Sequence, residues 1–411
     1  MKRLRVVHIT PSVRLLGARR SLLALVKSLA GTRVESLVVV PSQGGLTEEF
    51  DKLGIAYESV FLPPWRKGKS WLTMPRQIRR LRDVITDFNA DVIHCNEIYP
   101  NPHALAAVAG GGVVPELLSR YLQRRPLKPQ RIPVVTHMRL SVNDRLIHNY
   151  YLENAQRLIA VSHGAASDFN GYSWKDSRVR VVYNGLDYEP FIEARASRKQ
   201  IRESLGYTDD HFVIGQIGLM MPRKRPRFLI DAAKKVLEIT PQARFLFIGD
   251  ASPGQQTYLD DLKSEVQVQG LSEVVRFLPF QTNVAPYFAA IDLNMLVSDE
   301  EGFGRVILEA AAAGVPTVGS RVGGIPELVK HEESGYLIGP PNATDEDFWK
   351  EIPGFAAIIQ RLKTDKPFYN RIAQAAYDRA LERFGVDQYV NGTVQVFEEA
   401  IQEFDKLRDQ W

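Results

Sequence analysis

Residues 298–327 read SDEEGFGRVILEAAAAGVPTVGSRVGGIPE. Two carboxylates, Glu301 and Glu309, stand on either side of a Gly302-Phe303-Gly304 turn that opens directly into a helix beginning near Arg305. Glycine at both ends of the turn frees the backbone for positive φ and for close approach to a ligand. The helix start aims its unpaired N–H groups, and the positive end of its dipole, at whatever lies over the turn. A strand-like segment, Pro316 to Ser320, leads to a second glycine pair, Gly323-Gly324. Glycines and helix ends suit phosphate, and carboxylates accept hydrogen bonds from sugar hydroxyls.

The spacing of the two glutamates narrows the chemistry. On one continuous helix, their eight-position offset would amount to roughly 12 Å along the axis. A glycosidase acid/base pair flanks one bond at about 5–10 Å. This pair is better suited to gripping different ends of an elongated molecule. The plainer reading is a solvated Glu301 and a Glu309 that complements the helix N-terminus.

Working outward, short apolar strands alternate with helical segments along the chain. In the first half the expected strands are Leu4–Ile9, Ser36–Val40, Tyr57–Phe61, Asp91–Cys95, Val134–His137, Leu158–Val161 and Val179–Tyr183. A charged stretch, Glu193 to Glu203, links them to a second series: Phe212–Ile217, Arg244–Gly249, Val275–Leu278, Leu293–Val297 and Pro316–Gly319. Continuous apolar strands alternating with helices predict parallel sheets covered on both faces. The expected architecture is α/β, with two doubly wound Rossmann-like domains in tandem, residues 1–190 and 191–385. Tyr389, Val390, Val394, Phe397, Ile401 and Phe404 recur at helical spacing and predict a long terminal helix over about 386–411.

At 411 residues the chain exceeds one comfortable core. Hydrophobic residues make up 45% and charged residues 24%, which marks a soluble globular protein. The single cysteine, Cys95, excludes an internal disulfide. No apolar run is long enough to span a bilayer, and Val6-Val7-His8-Ile9 is too short for a signal-peptide core. These features predict a cytoplasmic protein. A net charge of +4 without a recognised motif argues against nucleic acid. Ile9-Thr10-Pro11-Ser12 follows the first strand where a dinucleotide-binding G-x-G-x-x-G would stand, which disfavours an oxidoreductase.

Two segments interrupt the alternation. Gly110 to Arg131 resembles an insertion. Trp65 to Arg82 mixes Trp65 and Trp71 with many Lys and Arg residues. It reads either as a peripheral contact with an anionic membrane surface or acceptor, or as a solvated basic helix face with tryptophans packed inside.

The Ser298–Glu327 block resembles the E-x7-E region of the family 4 glycosyltransferases, retaining nucleotide-sugar enzymes of GT-B architecture with an interdomain cleft. Val182-Tyr183-Asn184-Gly185-Leu186-Asp187, Ile159-Ala160-Val161-Ser162, Phe247-Ile248-Gly249-Asp250 and Thr136-His137 resemble further family elements, in the family's order. The resemblance implies roles. Glu309 would bind the ribose hydroxyls. Glu301 would lie by the transferred sugar, with the amides of Gly302, Phe303 and Gly304, and Arg305 opening the helix behind them. His137 would face the reacting sugar from the N-terminal domain, and Gly17 would approach the diphosphate or acceptor. Lys224 matches the lysine of the family's phosphate loop, but Leu219 stands where its arginine is expected. Arg223 or Arg225 is the candidate replacement, unless both are surface charges. Arg19 replaces an expected acid after Gly17, which suggests a changed acceptor side if it is not simply exposed.

The resemblance thus implies a cytoplasmic enzyme that moves a sugar from a nucleotide diphosphate sugar to a saccharide or lipid-linked acceptor hydroxyl, with retained configuration and no metal or other cofactor. A GT-B phosphorylase, a sugar-phosphate synthase and a non-catalytic nucleotide-sugar-binding partner are the alternatives.

Overall fold

The computed structural model describes residues 3–65, 73–109 and 132–408. The chain divides into two compact units, one running to Gly185 and resuming at Val386, the other Leu186–Gly385.

The N-terminal unit is a seven-stranded sheet of β1 (Leu4–Ile9), β2 (Val34–Val40), β3 (Tyr57–Ser59), β4 (Val92–Cys95), β5 (Val134–Met138), β6 (Arg157–Ala160) and β7 (Val179–Val181). The strand order is β3-β2-β1-β4-β5-β6-β7, and every neighbouring pair is parallel. The order reverses between β1 and β4, the point at which doubly wound sheets open a ligand crevice beyond their carboxyl ends. Val6, Val7, His8 and Ile9 of β1 are all buried, as a central strand covered on both faces requires.

The second unit repeats the plan. It holds β8 (Phe212–Ile217), β9 (Ala243–Ile248), β10 (Val275–Leu278), β11 (Leu293–Leu296), β12 (Thr317–Ser320) and β13 (Gly335–Ile338), in the order β10-β9-β8-β11-β12-β13. Its switch point falls between β8 and β11. Phe228, Phe245, Phe247, Phe348 and Phe355 fill its core. Strand β13 is absent from the sequence expectation, because GYLI is a four-residue apolar run behind a glycine. Its place comes from the sheet: Gly335 has φ 153, and a Cβ there would lie 2.5 Å from the Thr317 carbonyl oxygen of β12.

The terminal helix, Val386–Arg408, packs in the N-terminal unit. Tyr389, Val390, Val396, Phe397 and Ala400 cover Leu4, Val6, Val92, Val135 and Ile159. Arg180 Nε pairs with Glu399 at 2.9 Å, and Arg157 pairs with Glu403.

The basic-indole segment is only partly on the surface. Trp65 is buried, with its ring 5.0 Å from that of His103 and 6.2 Å from that of Tyr151. The helix Met74–Asp87 buries Met74, Ile78, Leu81 and Ile85, and the buried Arg82 donates to the Ala107 carbonyl at 3.3 Å. Trp65 is therefore core, as the reading of a basic helix face with tryptophans packed inside has it. Arg76 and Arg80 remain exposed on that helix. Trp71 and the Gly110–Arg131 insertion lie outside the described residues.

Three buried histidines join β1, β4 and β5 beneath the terminal helix. His8 Nδ1 lies 2.9 Å from His94 Nδ1, and His94 Nε2 lies 3.2 Å from His137 Nδ1. Phe397 covers His8 and His94. Desolvation lowers all three pKa values, that of His8 to about 3. A neutral histidine whose folded pKa is depressed contributes its full stability above the unfolded value near 6.5. That contribution is lost as the pH falls from there toward the folded value. Each group therefore costs up to about 1.4 kcal/mol per pH unit below 6.5. The urea midpoint of unfolding is expected to drop steeply between pH 7.5 and pH 5. His94→Phe should flatten that dependence, and an unchanged slope would show that the three rings are not its source.

Candidate functional site

In the second unit the candidate residues converge where β8 and β11 end. After β8 the chain passes Gly218 and enters a short 3-10 turn, Pro222–Lys224. Gly218 N donates to the Ile248 carbonyl at 2.9 Å, and a Cβ on Gly249 (φ 142) would stand 1.9 Å from the Gly218 oxygen. Only glycine permits this approach. Gln216 Nε2 donates to the Lys224 carbonyl at 2.8 Å, which fixes the turn.

The loop after β11 meets this turn. Asp299 N donates to the Arg223 carbonyl at 2.8 Å, and Arg223 Nη1 donates to the Glu300 carbonyl at 2.9 Å. Lys224 Nζ pairs with Glu301 Oε2, with the side chains 18% and 13% exposed. The two residues that the sequence reading assigned to phosphate and sugar are thus in direct contact. Gly302, Phe303 and Gly304 follow, all buried, with the Phe303 ring edge-on to Phe384. Gly304 has φ 99 and begins the helix Arg305–Ala312, which has neither a side-chain cap nor an acidic residue in its first turn. Ile307 N closes its first turn on the Gly304 carbonyl at 2.9 Å. Glu309 is buried on this helix, and Arg305 Nη2 lies 3.6 Å from its Oε1.

The second glycine pair has a packing reason. A Cβ on Gly323 (φ 51) would lie 1.7 Å from the Glu301 carbonyl oxygen, and one on Gly324 would lie 2.8 Å from the Gly302 oxygen. Gly324 N donates to that Glu301 carbonyl at 3.1 Å. This turn supports the Glu301 loop from behind.

Arg225 does not replace the missing arginine. It is buried at φ 44, its Nε donates to Asp345 at 2.7 Å, and it pairs with Asp299 and lies 4.2 Å over the Phe348 ring. Leu219 is half-buried. Lys224 and Arg223 are the cations of this loop that remain beside Glu301.

In the N-terminal unit, Gly17 is exposed at the start of the helix Gly17–Leu29, and a Cβ there would meet nothing within 4 Å. His137 is wholly buried within β5, which runs one residue further than the sequence suggested. Its ring packs among His94, Tyr389 and the strand, and its Nε2 is buried without a hydrogen-bond partner among the described residues. The cation at the strand's carboxyl end is Arg139. It donates from Nη2 to Asn96 Oδ1 at 2.7 Å and to Tyr389 Oη at 2.9 Å, and from Nη1 to Asn184. Asn184 of the Val182–Asp187 element thus serves to hold Arg139. Ser162, from the other short element, caps the helix His163–Ser167 by accepting from Ala165 N at 2.9 Å. Arg19 is not simply exposed, because it pairs with Glu97 at 3.0 Å. Asn96, Glu97 and Arg139 were absent from the sequence reading. Their signal is polar residues set at the ends of apolar strands. Among the described residues, no group of three or more His, Cys, Asp or Glu is arranged to hold a metal ion.

The model of the "Glycosyl transferases group 1" family matches residues 197–379, and that of "Glycosyltransferase Family 4" matches residues 16–190. A D-inositol 3-phosphate glycosyltransferase of Corynebacterium urealyticum is 30% identical over 335 residues, 79% of this chain and 67% of that protein. The chain belongs to glycosyltransferase family 4. An N-acetyl-alpha-D-glucosaminyl L-malate synthase of Bacillus anthracis is 27% identical over 339 residues, 80% of this chain and 78% of that protein. Other D-inositol 3-phosphate glycosyltransferases align over about half of their own length, for example 55% in Streptomyces bingchenggensis. The crystal structure of Anabaena Alr3699/HepE in complex with UDP and glucose superposes with a TM-score of 0.78 at 24% identity, covering 96% of this chain and all of that one. This family 4 glycosyltransferase therefore has the GT-B architecture, two tandem Rossmann-like α/β units.

Proposed function

We propose that this glycosyltransferase moves a sugar from a nucleoside diphosphate sugar to an acceptor hydroxyl with retention of configuration, and that it does so in the cytoplasm. The observation that carries the reading is the Lys224–Glu301 pair beside the uncapped helix Arg305–Ala312. Departure of a nucleoside diphosphate builds charge on its oxygens. A preorganised ammonium and the positive end of the helix dipole offset that charge without moving. Glu309, further along the same helix, accepts from ribose hydroxyls. Glu301 accepts from the transferred sugar while it holds the Lys224 ammonium in place. The cations and the helix dipole suffice for the leaving group, so no metal is invoked. The departing phosphate takes up the acceptor proton on the same face. The acceptor is a saccharide or lipid-linked glycan, and among the described residues of the Trp65–Arg82 segment Arg76 and Arg80 are exposed cations available toward an anionic surface.

A thermal-shift screen with UDP, GDP and ADP tests the reading. UDP, with which the Anabaena protein was crystallised, is the first probe. A ligand at 100 times its Kd adds about 2.7 kcal/mol of stability, so one nucleotide should raise Tm by several degrees. The proposal fails if none of the three moves it.

A further inference from the structure

The three buried histidines of the N-terminal unit form a chain that the donor contacts leave unused. Strand alternation puts His8 on the same face as Val6, His94 with Val92 and His137 with Val135, the face that the terminal helix covers. β1 and β4 set His8 directly beside His94. The rings then join end to end. Ser36 Oγ lies 3.2 Å from His8 Nε2, His8 Nδ1 lies 2.9 Å from His94 Nδ1, and His94 Nε2 lies 3.2 Å from His137 Nδ1. The last atom of the chain, His137 Nε2, has no hydrogen-bond partner among the described residues.

Proton counting leaves this chain two arrangements. Burial keeps the rings neutral, and the Arg139 guanidinium adds to that effect at His137 and His94. A neutral ring has one N–H and one bare nitrogen, and the bond made by one nitrogen decides the state of the other. Each ring–ring contact takes one proton. If His94 donates from Nε2, His8 must donate from Nδ1, and His137 is left with its proton on Nε2. If His94 donates from Nδ1, His137 must donate from Nδ1, and His8 carries its proton on Nε2 toward Ser36. His137 Nε2 is then bare. Any mixed arrangement breaks a bond.

The two ends decide between them. The first arrangement buries an N–H at His137 Nε2 with nothing to accept it, and native proteins orphan buried N–H groups less often than acceptors. It also moves the ring protons toward Arg139, which acts on His137 and His94. The second moves them toward Ser36. That residue is half-buried and lines a surface cavity of about 400 Å³, so its hydroxyl accepts from His8 and gives its own proton to solvent.

We infer that Ser36, His8 and His94 are positioning residues that hold His137 in its Nδ1–H tautomer, with Nε2 a bare acceptor near the carboxyl end of β5. A free histidine prefers the opposite tautomer, so the chain imposes this one. Such a ring receives a hydrogen bond from a hydroxyl and cannot donate one to a phosphate. The tautomer is a property of the N-terminal unit alone, and its bearing on sugar transfer rests on the glycosyl-transfer reading.

Long-range proton–nitrogen correlation spectra of the full chain, labelled in its histidine rings, test it at neutral pH without ligand. His94 and His137 should show a protonated Nδ1, and His8 a protonated Nε2. The reverse pattern, or an average of the two forms, overturns the assignment. His94→Phe keeps a ring and removes the acceptor of His137 Nδ1. His137 should then revert to Nε2–H, and a retained Nδ1–H would show that His94 does not set it. The same variant should lower kcat for sugar transfer about 10–100-fold, the usual scale for removing a partner that fixes a functional histidine. UDP affinity should stay unchanged, and kcat within threefold of wild type overturns the positioning role. Should His94→Phe fail to fold, the wild-type spectrum decides. The expected tautomers in a protein that transfers sugar from no nucleoside diphosphate sugar would leave the tautomer assignment standing and overturn the glycosyl-transfer reading.

Discussion

Lys224→Ala is expected to lower kcat for sugar transfer by about 10²–10³-fold, the usual loss when one preorganised charge-stabilising group is removed. The expectation follows from placement. Lys224 ends a turn fixed by the Gln216 bond and by the Asp299–Arg223 backbone bond, so its ammonium is held before any substrate arrives. Arg225 cannot stand in, because Asp299, Asp345 and Phe348 occupy it. The variant also leaves Glu301 without its counter-charge. Breaking a fully buried pair costs about 3–5 kcal/mol. The cost here is smaller, since both side chains keep some contact with water. Lys224→Ala combined with Glu301→Gln separates the two effects, because it removes the stranded charge. Steady-state kinetics and thermal melts on both proteins should show stability recovered in the double variant while transfer stays lost. Transfer by Lys224→Ala within threefold of wild type would remove the ammonium from the mechanism.

How far these features could be read from sequence depends on the range of the interaction concerned. Strands β1, β8 and β10 match their expected bounds, because each is an apolar run whose pattern is local. The Glu301 loop and the helix start at Arg305 were legible for the same reason: glycine, aromatic, glycine and helix-former are neighbours in the chain. Pairings between distant segments were not legible. His137 took its expected role from the resemblance of Thr136-His137 to a family element. Its actual partners, His94 and through it His8, come from strands far away in sequence. Arg19 read as a surface charge or an acceptor residue because nothing near it in the chain announces Glu97. Strand β13 is too short and too plain to declare itself without the Thr317 backbone beside it. The glycines of the second pair were read as ligand-facing, and their reason proved to be a backbone contact with residues 301–303.

That contact makes Gly323→Ala a severely damaging substitution in the donor unit. The added Cβ would sit 1.7 Å from the Glu301 carbonyl oxygen, and 2.8 Å from its carbonyl carbon. Both are main-chain atoms, so no rotamer change relieves the clash. Either the 301–303 loop or the 321–324 turn must move by more than an ångström. The backbone at φ 51 adds about 1–2 kcal/mol for a residue with a side chain. Movement of the loop carries Glu301 away from Lys224 and shifts the turn that begins the Arg305–Ala312 helix. A misplacement of about 1 Å in a positioning group commonly costs about 10²-fold in rate. The expected result is therefore a loss of about two orders of magnitude in kcat/KM for the donor, with a lowered Tm. Gly354→Ala is the matched control in the same unit. It lies in the helix Ile352–Thr364 with nothing within 4 Å of an added Cβ. Alanine there should stabilise by about 0.5–1 kcal/mol and leave transfer intact. If Gly323→Ala behaves like this control in both melting and kinetics, the Gly323-Gly324 turn does not support the Glu301 loop.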